Sequence, residues 1–472
     1  MSPTPGSRSA QGTAGSGQPG VLCLAAPPSK SVTHRAFVLA SLADRPVVIE
    51  RPLLGADCRS TLEVLRGLGA RWTIEANGDV HFEPSAWGTA ETTPGDGDGE
   101  GDGGGGGGGE GDGEGDGVEL DCGNSGTSLR LLAAQAARLD RPVTLTGDRS
   151  LQQRPNGPLI AALGALGVDT ESNDGRCPLL VCGPLRGGTV RLPGGLSSQY
   201  ASALLLALAV TPRRSTVFLD PPIASRPYLD LTLSVAAAFG VSIGVQAQGA
   251  GLRFDVPGGV RPRASRYRVE GDWSGAAFPL VAAALLDRPL RLDGLAAEST
   301  QGDRKIVEVI ERFGVALGWC GDELVVRGAR LRAAGEIDVA AMPDLFPPLC
   351  ALAACAPGTT RLFGSRGLRH KESDRIDAMA VGLAAMGISC DQLDDGIVIR
   401  GGQPRGAVIA CRDDHRVHMA FAVIGLISEG PTRVDAPECV AVSYPGFHVD
   451  LQRFVDASGE PPNPADGRPG ER

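Results

Sequence analysis

The charged stretch GLRHKESDRIDAM, residues 367–379, combines groups that could bind an anion and move a proton. Lys371 and Arg375 are cations, and Glu372 lies between them. A carboxyl group in this position could exchange a proton with an anionic substrate that the cations hold. The apolar residues from Ile376 onward recur at helical spacing, so the stretch also fits the solvated first turn of a helix. The elements around it decide between these interpretations.

The net charge of −10 does not exclude an anionic ligand, because the charge is unevenly distributed. Residues 91–117 form a Gly-rich run with nine acidic residues and no basic one, so the remainder is close to neutral. We predict that residues 89–117 are a disordered insert, since the run has no apolar side chain to bury. No basic stripe with interleaved aromatic residues indicates nucleic-acid binding. No apolar run reaches the roughly 18 residues that a membrane span needs.

The two ends of the chain and its cysteines indicate the cellular compartment. Residues 1–28 are interpreted as a disordered Gly/Ser/Pro-rich leader plus a first strand, and residues 457–472 as a disordered tail. The eleven cysteines are scattered from Cys23 to Cys439 and form no CxxC pair. This pattern predicts free thiols in a reducing cytoplasm and indicates neither a zinc site nor a redox dithiol. We therefore expect a cytoplasmic protein without a metal ion.

A sixfold recurrence runs along the chain at intervals of roughly 70 to 75 residues, lengthened once by the acidic insert. Each copy opens with small or polar residues that can cap a helix, and continues as an Ala/Leu-rich helix that is apolar on nearly all sides. The six segments are SKSVTHRAFVLASLA, GNSGTSLRLLAAQA, LSSQYASALLLALA, GDWSGAAFPLVAAAL, PDLFPPLCALAACA and DDHRVHMAFAVIGL. A turn, a short strand, a polar loop and an amphipathic helix follow each one, although the sixth copy is truncated.

Six α/β units of this size predict two domains of three units each, with the first helix of every unit buried centrally. If the N-termini of these helices point toward one interdomain cleft, their free N–H groups and dipoles make the cleft a site for anions. The loops that would face the cleft carry Lys30, Ser31, Arg35, Asn124, Arg130, Arg154, Ser197, Ser198, Gln199, Ser225, Tyr228, Lys371, Glu372, Arg375 and Arg416.

The chain resembles the 5-enolpyruvylshikimate-3-phosphate (EPSP) synthases from about residue 24 to residue 454. The motifs that carry the resemblance, in order, are PPSKSVTHRAFVLASLA, GNSGTSLR, QRP, SSQY, SRPY, GDWSGAA, MPD, HKESDR, DHR and YPGF. The resemblance implies an α/β, two-domain enolpyruvyl transferase fold of six βαβαββ-type repeats, three in each domain, with buried central helices. It implies an upper domain of residues 29–268 and a lower domain of residues 269–456, with the first strand placed in the lower domain.

The resemblance also implies a reaction: transfer of the enolpyruvyl group of phosphoenolpyruvate to the 5-hydroxyl of shikimate 3-phosphate, with release of phosphate. This step belongs to the shikimate pathway, which leads to chorismate and the aromatic amino acids, and it implies no cofactor and no metal. The residues implied to bind phosphoenolpyruvate are Lys30, Gly126, Arg154, Gln199, Arg375 and Arg416. Those implied to bind shikimate 3-phosphate are Ser31, Arg35, Ser197, Ser198, Gln199, Ser225, Tyr228, Asp344 and Lys371.

Addition across the enol double bond needs one proton delivered to the methylene carbon and one removed from the attacking hydroxyl. The resemblance implies Glu372 as the proton donor and Asp344 as the base, and Lys30 as a third catalytic group. Gly126 is interpreted as a backbone position so close to phosphoenolpyruvate that a methyl group would intrude. The chain departs from the family pattern at three positions. Val442 of the VSYP segment stands where many members carry a lysine, Gly367 where some carry an asparagine, and His418 where a small residue is usual.

Two other functions remain open at this point. The related transferase that acts on UDP-N-acetylglucosamine shares the fold, but typically uses a reactive cysteine on a Gly-rich loop, and no such context occurs here. A catalytically inactive homologue that binds a phosphorylated metabolite would fit the loss of the lysine at Val442, whereas retention of Glu372 and Asp344 argues against it. The partners that we expect are therefore the two small substrates, without nucleic acid or membrane, and the family is usually monomeric.

Overall fold

The computed structural model describes residues 21–85, 87 and 117–456 of the chain. The predicted disordered leader up to residue 20, residues 89–116 of the acidic insert and the tail 457–472 lie outside the described residues. The predicted first strand is present, at Leu22–Ala25.

The described part consists of short strands and helices that alternate along the chain. The strands are β1 Leu22–Ala25, β2 Val47–Glu50, β3 Arg71–Ile74, β4 Val80–Glu83, β5 Val118–Asp121, β6 Pro142–Thr146, β7 Asp169–Asn173, β8 Arg176–Cys182, β9 Thr189–Pro193, β10 Ser215–Asp220, β11 Gly244–Gln248, β12 Gly251–Val256, β13 Arg266–Arg268, β14 Leu290–Asp293, β15 Val315–Cys320, β16 Glu323–Ala329, β17 Gly335–Asp338, β18 Gly358–Phe363, β19 Ser389–Leu393, β20 Gly396–Gly401, β21 Val408–Ile409 and β22 Arg433–Val434. The α-helices are α1 Lys30–Ser41, α2 Ala56–Leu68, α3 Gly126–Ala136, α4 Gly157–Ala165, α5 Ser198–Val210, α6 Arg226–Ala238, α7 Trp273–Leu285, α8 Ile306–Arg312, α9 Phe346–Cys355, α10 Arg375–Ala385, α11 His415–Gly425 and α12 Phe447–Asp456.

The sheets confirm the sixfold repeat. Within the described residues, five four-stranded sheets and one two-stranded sheet follow the same plan. In the sheet β5-β6-β8-β7, β5 is parallel to β6, and β8 is antiparallel to both β6 and β7. With α3 and α4 between the strands, this unit reads βαβαββ in chain order. The two-stranded sheet β21-β22 is the truncated sixth unit.

The chain crosses between two halves, each with its own core. Strand β1 is parallel to β14 and so joins a sheet of the C-terminal half, while β13 returns to pair with β2. Pro28 and Gly271, where the two crossings lie side by side, form an isolated bridge. One hydrophobic core draws on residues 32–269, and the other on residues 24, 26 and 273–454. The two cores support a two-domain fold, and the boundaries 29–268 and 269–456 stay predictions.

The first helix of each unit is buried, as the sequence predicts. Helix α3 contacts α1 and α5, and α9 contacts α7 and α11. Every residue of α5 except Gln199 is buried, because Ala and Leu side chains let the packed helices approach closely on all sides. Capping side chains begin four of these helices: Ser125, Ser197, Asp272 and Asp414 each accept an N–H group of the first turn. No described helix is long and apolar enough to cross a membrane.

Candidate active site

Helix starts from the two halves meet in one cleft, where side chains of each half bond groups of the other. Tyr228 in α6 reaches across from the N-terminal half, and its hydroxyl donates to Asp344 Oδ2 over 3.1 Å. Ser150 Oγ, also from that half, donates to the backbone carbonyl of Glu372 over 3.2 Å. These bonds bring Asp344, through its carboxylate, and Glu372, through its backbone, into contact with the N-terminal half.

Arg375, the first residue of α10, holds three carboxylates. Its side chain is 1% exposed, and Nε and Nη2 bond the two oxygens of Asp414 at 2.9 and 3.4 Å. Nη1 lies 2.9 Å from Asp344 Oδ1, and Nη2 lies 2.8 Å from Glu372 Oε2. Burial alone would lower the pKa of Arg375, but the three surrounding anions raise it above its usual range. This guanidinium therefore fixes the two predicted catalytic carboxylates relative to each other.

Asp344 lies just before α9 and is surrounded by donors. Besides Arg375 and Tyr228, Lys371 Nζ is 3.1 Å from Oδ1, and Arg416 Nη2 is 3.3 Å from Oδ2. Burial would raise the pKa of this carboxyl, but the cations, Arg416 first, outweigh burial and hold the pKa well below its usual range. Asp344 is thus ionised and serves as more than a helix cap.

Glu372 precedes α10 in the loop that the opening motif predicts. Burial opposes ionisation of its carboxyl group, yet nearby cations, Arg375 and then Arg154, hold its pKa well below the usual range. His415 and Lys30 act in the same direction. These cations therefore favour the ionised form of the Glu372 carboxyl group.

Lys30 opens α1 and is anchored at both ends. Its backbone N–H donates to Asp272 Oδ2 over 2.9 Å, and its Nζ lies 3.0 Å from Asp57 Oδ2 in α2. Burial lowers the pKa of the ammonium group, but Asp57 and then Glu372 raise it, and the balance lies above the ordinary value. The predicted catalytic lysine is thus charged inside the cleft.

The predicted phosphoenolpyruvate-binding residues Arg154, Gly126 and Gln199 lie together. Arg154 Nη2 donates to Asn124 Oδ1 over 2.6 Å, and Nη1 donates to the Asn124 carbonyl over 3.1 Å. A Cβ atom added at Gly126 would lie 3.2 Å from Nη1 of Arg154 and of Arg130. Gln199 Oε1 accepts from Arg130 Nη1 over 2.5 Å, so Arg130 also belongs to this group. A side chain at Gly126 would therefore press on the two guanidinium groups.

Two guanidinium groups of the cleft keep a free donor. Among the described residues, Arg154 Nε and Arg416 Nη1 are buried without a hydrogen-bond partner. A buried donor without a partner costs about 1–3 kcal/mol, so its retention needs an explanation. Both atoms belong to residues predicted to bind phosphoenolpyruvate, and an anionic ligand would satisfy them.

The predicted shikimate 3-phosphate residues divide into two groups. Ser31 and Tyr228 line a small cavity at the cleft, and Arg35 lies behind them, with Nη1 donating to the Ser31 carbonyl over 2.8 Å. Arg35 has no carboxylate partner in the described part, and burial lowers its pKa to about 10. The hydroxyls predicted to hold the phosphate stand at helix starts: Ser197 caps α5, Ser198 begins it, and Ser225 precedes α6 with a left-handed φ of 50°.

Three acidic residues of the cleft were not assigned from the sequence. Asp57 pairs with Lys30, Asp414 pairs with Arg375, and Asp303 lines the same cavity as Ser31. Asp303 accepts from the hydroxyl of Ser274, and its Oδ2 lies 3.4 Å from the hydroxyl oxygen of Tyr228. Its own burial and then repulsion from Asp344 raise its pKa to about 7. Asp414 could have been predicted from the DHR motif. No local sequence pattern around Asp57 or Asp303 predicts their partners, which are distant in sequence.

Comparison with solved structures defines the class of protein. The EPSP synthase from Acinetobacter baumannii superimposes with a TM-score of 0.69 and 28% sequence identity, over 92% of this chain and 96% of that one. The fold is accordingly that of the two-domain enolpyruvyl transferases, with the cleft described above at its centre.

Sequence comparisons then identify the family. A family model described as EPSP synthase (3-phosphoshikimate 1-carboxyvinyltransferase) matches residues 19–96 and 108–451. A relative of that name from Methanocorpusculum labreanum is 39% identical over 92% of this chain and 96% of its own length. Another from Halobacterium salinarum is 40% identical over 89% and 94%. The chain belongs to the EPSP synthase family.

The Arg375 cluster generates a prediction about stability. Asp414→Asn leaves the buried guanidinium with one anion fewer, and we expect the free energy of unfolding to fall by about 3–5 kcal/mol. Urea unfolding measures this. Asp391→Asn is the matched control, because Asp391 pairs with Arg400 on the surface, where the side chains are 59% and 51% exposed. The control should lose less than about 1 kcal/mol. Equal losses for the two variants would contradict a stabilising role of the buried cluster.

Asp303 generates a prediction about pH. Its carboxyl keeps its proton in the folded state up to a pKa of about 7, against an ordinary value of 3.8. The folded state therefore binds more protons between these values, and the stability that Asp303 contributes is lost as the pH rises through about 7. We expect the melting temperature of the wild type relative to Asp303→Asn to fall between about pH 4 and pH 7 and to level off above that. A difference in melting temperature between the two proteins that does not change with pH would show that the Asp303 carboxyl is ionised over the whole range measured.

Proposed function

We propose that this chain transfers the enolpyruvyl group of phosphoenolpyruvate to the 5-hydroxyl of shikimate 3-phosphate and releases inorganic phosphate, a step of the shikimate pathway. The observation that carries the proposal is the pairing of two carboxylates, Asp344 and Glu372, with one buried guanidinium, Arg375, in a cleft lined by further cations. Family membership supports the same reaction. The chain is an enzyme of the transferase class.

Phosphoenolpyruvate carries a carboxylate and a phosphate, and both need cationic partners. Lys30, Arg154 and Arg416 are the cations best placed to provide them, and the free Nε of Arg154 and Nη1 of Arg416 supply unsatisfied donors. Arg375 uses four of its five N–H groups on three carboxylates, and the remaining Nη1 hydrogen is the one that a ligand could accept. Gln199 and Gly126 complete this half of the site.

Shikimate 3-phosphate brings a second phosphate and three free polar ring groups. Its phosphate fits the hydroxyls and N–H groups at the starts of α5 and α6, namely Ser197, Ser198 and Ser225. We place its ring and hydroxyls against Ser31 and Tyr228, with Arg35 behind them. The remaining contacts come from Gln199, Asp344 and Lys371.

In the addition step, the 5-hydroxyl oxygen bonds to C2 of phosphoenolpyruvate. Asp344 takes the hydroxyl proton, and Glu372 donates a proton to C3, which becomes a methyl group. In the elimination step, the Glu372 carboxylate removes a proton from that methyl group while the bond from C2 to the phosphate oxygen breaks. Phosphate leaves and carries away the proton that Asp344 took from the hydroxyl, so both carboxyl groups return to their starting states, and Lys30 stabilises the charge of the phosphate as it departs.

The charges around Glu372 explain how the reaction is restricted to the complete complex. With protein groups alone, the cations hold the pKa of Glu372 too low for it to donate a proton. A bound phosphate and carboxylate neutralise Arg154 and Lys30, which are two causes of that low pKa. Binding of the anionic substrate therefore promotes protonation of the group that must protonate it.

The direct test is phosphate release by the purified protein. Phosphoenolpyruvate with shikimate 3-phosphate should release phosphate, whereas phosphoenolpyruvate with UDP-N-acetylglucosamine should not. Release with only the second pair would favour the related transferase. Binding of shikimate 3-phosphate without release in either mixture would favour an inactive homologue, with Val442 as the first position to change to lysine.

The role of Glu372 generates a mutational prediction. Glu372→Gln keeps an acceptor for Arg375 but cannot donate a proton, so phosphate release should fall by about 10²- to 10⁴-fold. Calorimetric titration should give a dissociation constant for shikimate 3-phosphate close to that of the wild type. Glu336→Gln is a suitable control, because Glu336 forms an exposed pair with Arg361. Retention of most activity by Glu372→Gln would reject the assignment.

We further propose that the protein is a cytoplasmic monomer. The eleven cysteines are all unpaired, which supports a reducing compartment. Both halves of the cleft come from one chain, so a second copy contributes no residue to the reaction described above. Gel filtration with light scattering measures the oligomeric state.

A further inference from the structure

Three side chains that can bind a metal ion meet outside the catalytic cleft. The sulfur atoms of Cys411 and Cys439 and a ring nitrogen of His418 all lie within 4.8 Å of one another. Cys411 and His418 are buried, with 0% and 2% exposure, and Cys439 is partly buried. The mechanism proposed above uses none of the three.

The surroundings of His418 match those of a metal-binding histidine. Its Nδ1 donates to the backbone carbonyl of Asp435 over 2.7 Å. This bond fixes the tautomer and leaves Nε2 with a lone pair, which is the usual arrangement when a histidine binds a metal ion. Cys411 Sγ donates to the same carbonyl over 3.4 Å, and the Cys411 N–H donates to Asp435 Oδ1 over 2.6 Å. One residue thus orients two of the three potential ligands.

We propose that Cys411, His418 and Cys439 form a binding site for Zn²⁺. Two thiolates and one imidazole are soft and borderline ligands of the kind that zinc prefers, and buried sites of this composition are typically tetrahedral. Binding releases the two thiol protons to solvent and forms two Zn–S bonds and one Zn–N bond. The fourth position is left for water or an external ligand.

The position of the cluster indicates a structural role. It lies in the sixth unit, whose sheet has two strands of two residues each, whereas the other five units have four-stranded sheets. So short a sheet contributes little stability by itself. Cys411 follows β21, His418 lies in α11, and Cys439 follows β22, so one ion would join all three elements of the truncated unit.

The site also flanks catalytic groups along the chain. Cys411 precedes Asp414 by three residues, and His418 follows Arg416 by two. Asp414 holds Arg375, and Arg416 contacts Asp344. A zinc ion would therefore hold in place the helix start that carries both groups. The sequence by itself indicates no metal site here, because its cysteines form no CxxC pair.

The experiment measures metal binding by the full chain. The protein is reduced, freed of metal with a chelator and titrated with Co²⁺, which reports thiolate ligation through its charge-transfer absorption; Zn²⁺ is then added to displace it. The variants are Cys411→Ser and Cys439→Ser. Cys390→Ser is the matched control, because this thiol lies in the same half and also donates to a backbone carbonyl. Circular dichroism checks that each variant is folded.

We expect the wild type and Cys390→Ser to bind about one zinc ion per chain and to show the cobalt–thiolate bands. Each of the other two variants should lose the bands. Its affinity for zinc should also fall by more than about 100-fold, because loss of an outer hydrogen-bond partner alone costs about 10- to 100-fold. Zinc should raise the melting temperature of the wild type and not that of Cys411→Ser. The comparison of the zinc-dependent change in melting temperature holds even if a variant melts at a lower temperature than the wild type.

Two results would overturn the proposal. One is a wild type that shows no cobalt–thiolate absorption and no change in melting temperature with zinc. The other is a disulfide between Cys411 and Cys439, found by mass spectrometry of the protein purified without reductant, together with no zinc binding after reduction. The proposed transferase activity is tested separately from zinc binding, because phosphate release is measured both with and without chelator.

Discussion

The ion cluster around Arg375 is the interaction on which the catalytic cleft depends. A buried charge costs several kcal/mol unless partners compensate for it, and here Asp414, Asp344 and Glu372 share one guanidinium. Loss of Arg375 would remove the cation that pairs with the buried Asp414. The cluster therefore keeps Asp344 and Glu372 ionised and at fixed positions in the cleft.

The repeated fold explains why so many charges can share one buried place. Each βαβαββ unit buries an Ala/Leu-rich helix and leaves the N–H groups at its start without partners in the helix. The crossings near Pro28 and Gly271 keep the two cores adjacent, so helix starts of both halves face the same cleft. Their dipoles favour negative charge there. The same fold thus binds anionic substrates and tolerates several carboxylates.

The truncated sixth unit differs from the others in how it is stabilised. It contributes Asp414 and Arg416 to the cleft but contains a sheet of four residues in all, two in each strand. Besides this sheet, the unit is held by the packing of α11 against α9 and by the hydrogen bonds that Cys411 and His418 make to Asp435. The proposed zinc site lies in this unit, whose sheet is smaller than those of the other five units.

The sequence by itself determined the sixfold repeat, the six buried helices and most of the cations, hydroxyls and carboxylates of the cleft. These follow from apolar spacing, capping residues and the order of local motifs, all of which are readable over a few positions. Only the tertiary structure decided the partners: Lys30 with Asp57, Arg375 with three carboxylates, and Cys411 with Cys439. It also decided the raised pKa of Asp303, which depends on burial and on Asp344. Pairing and burial depend on distances between residues far apart in the chain, and no local pattern encodes those distances.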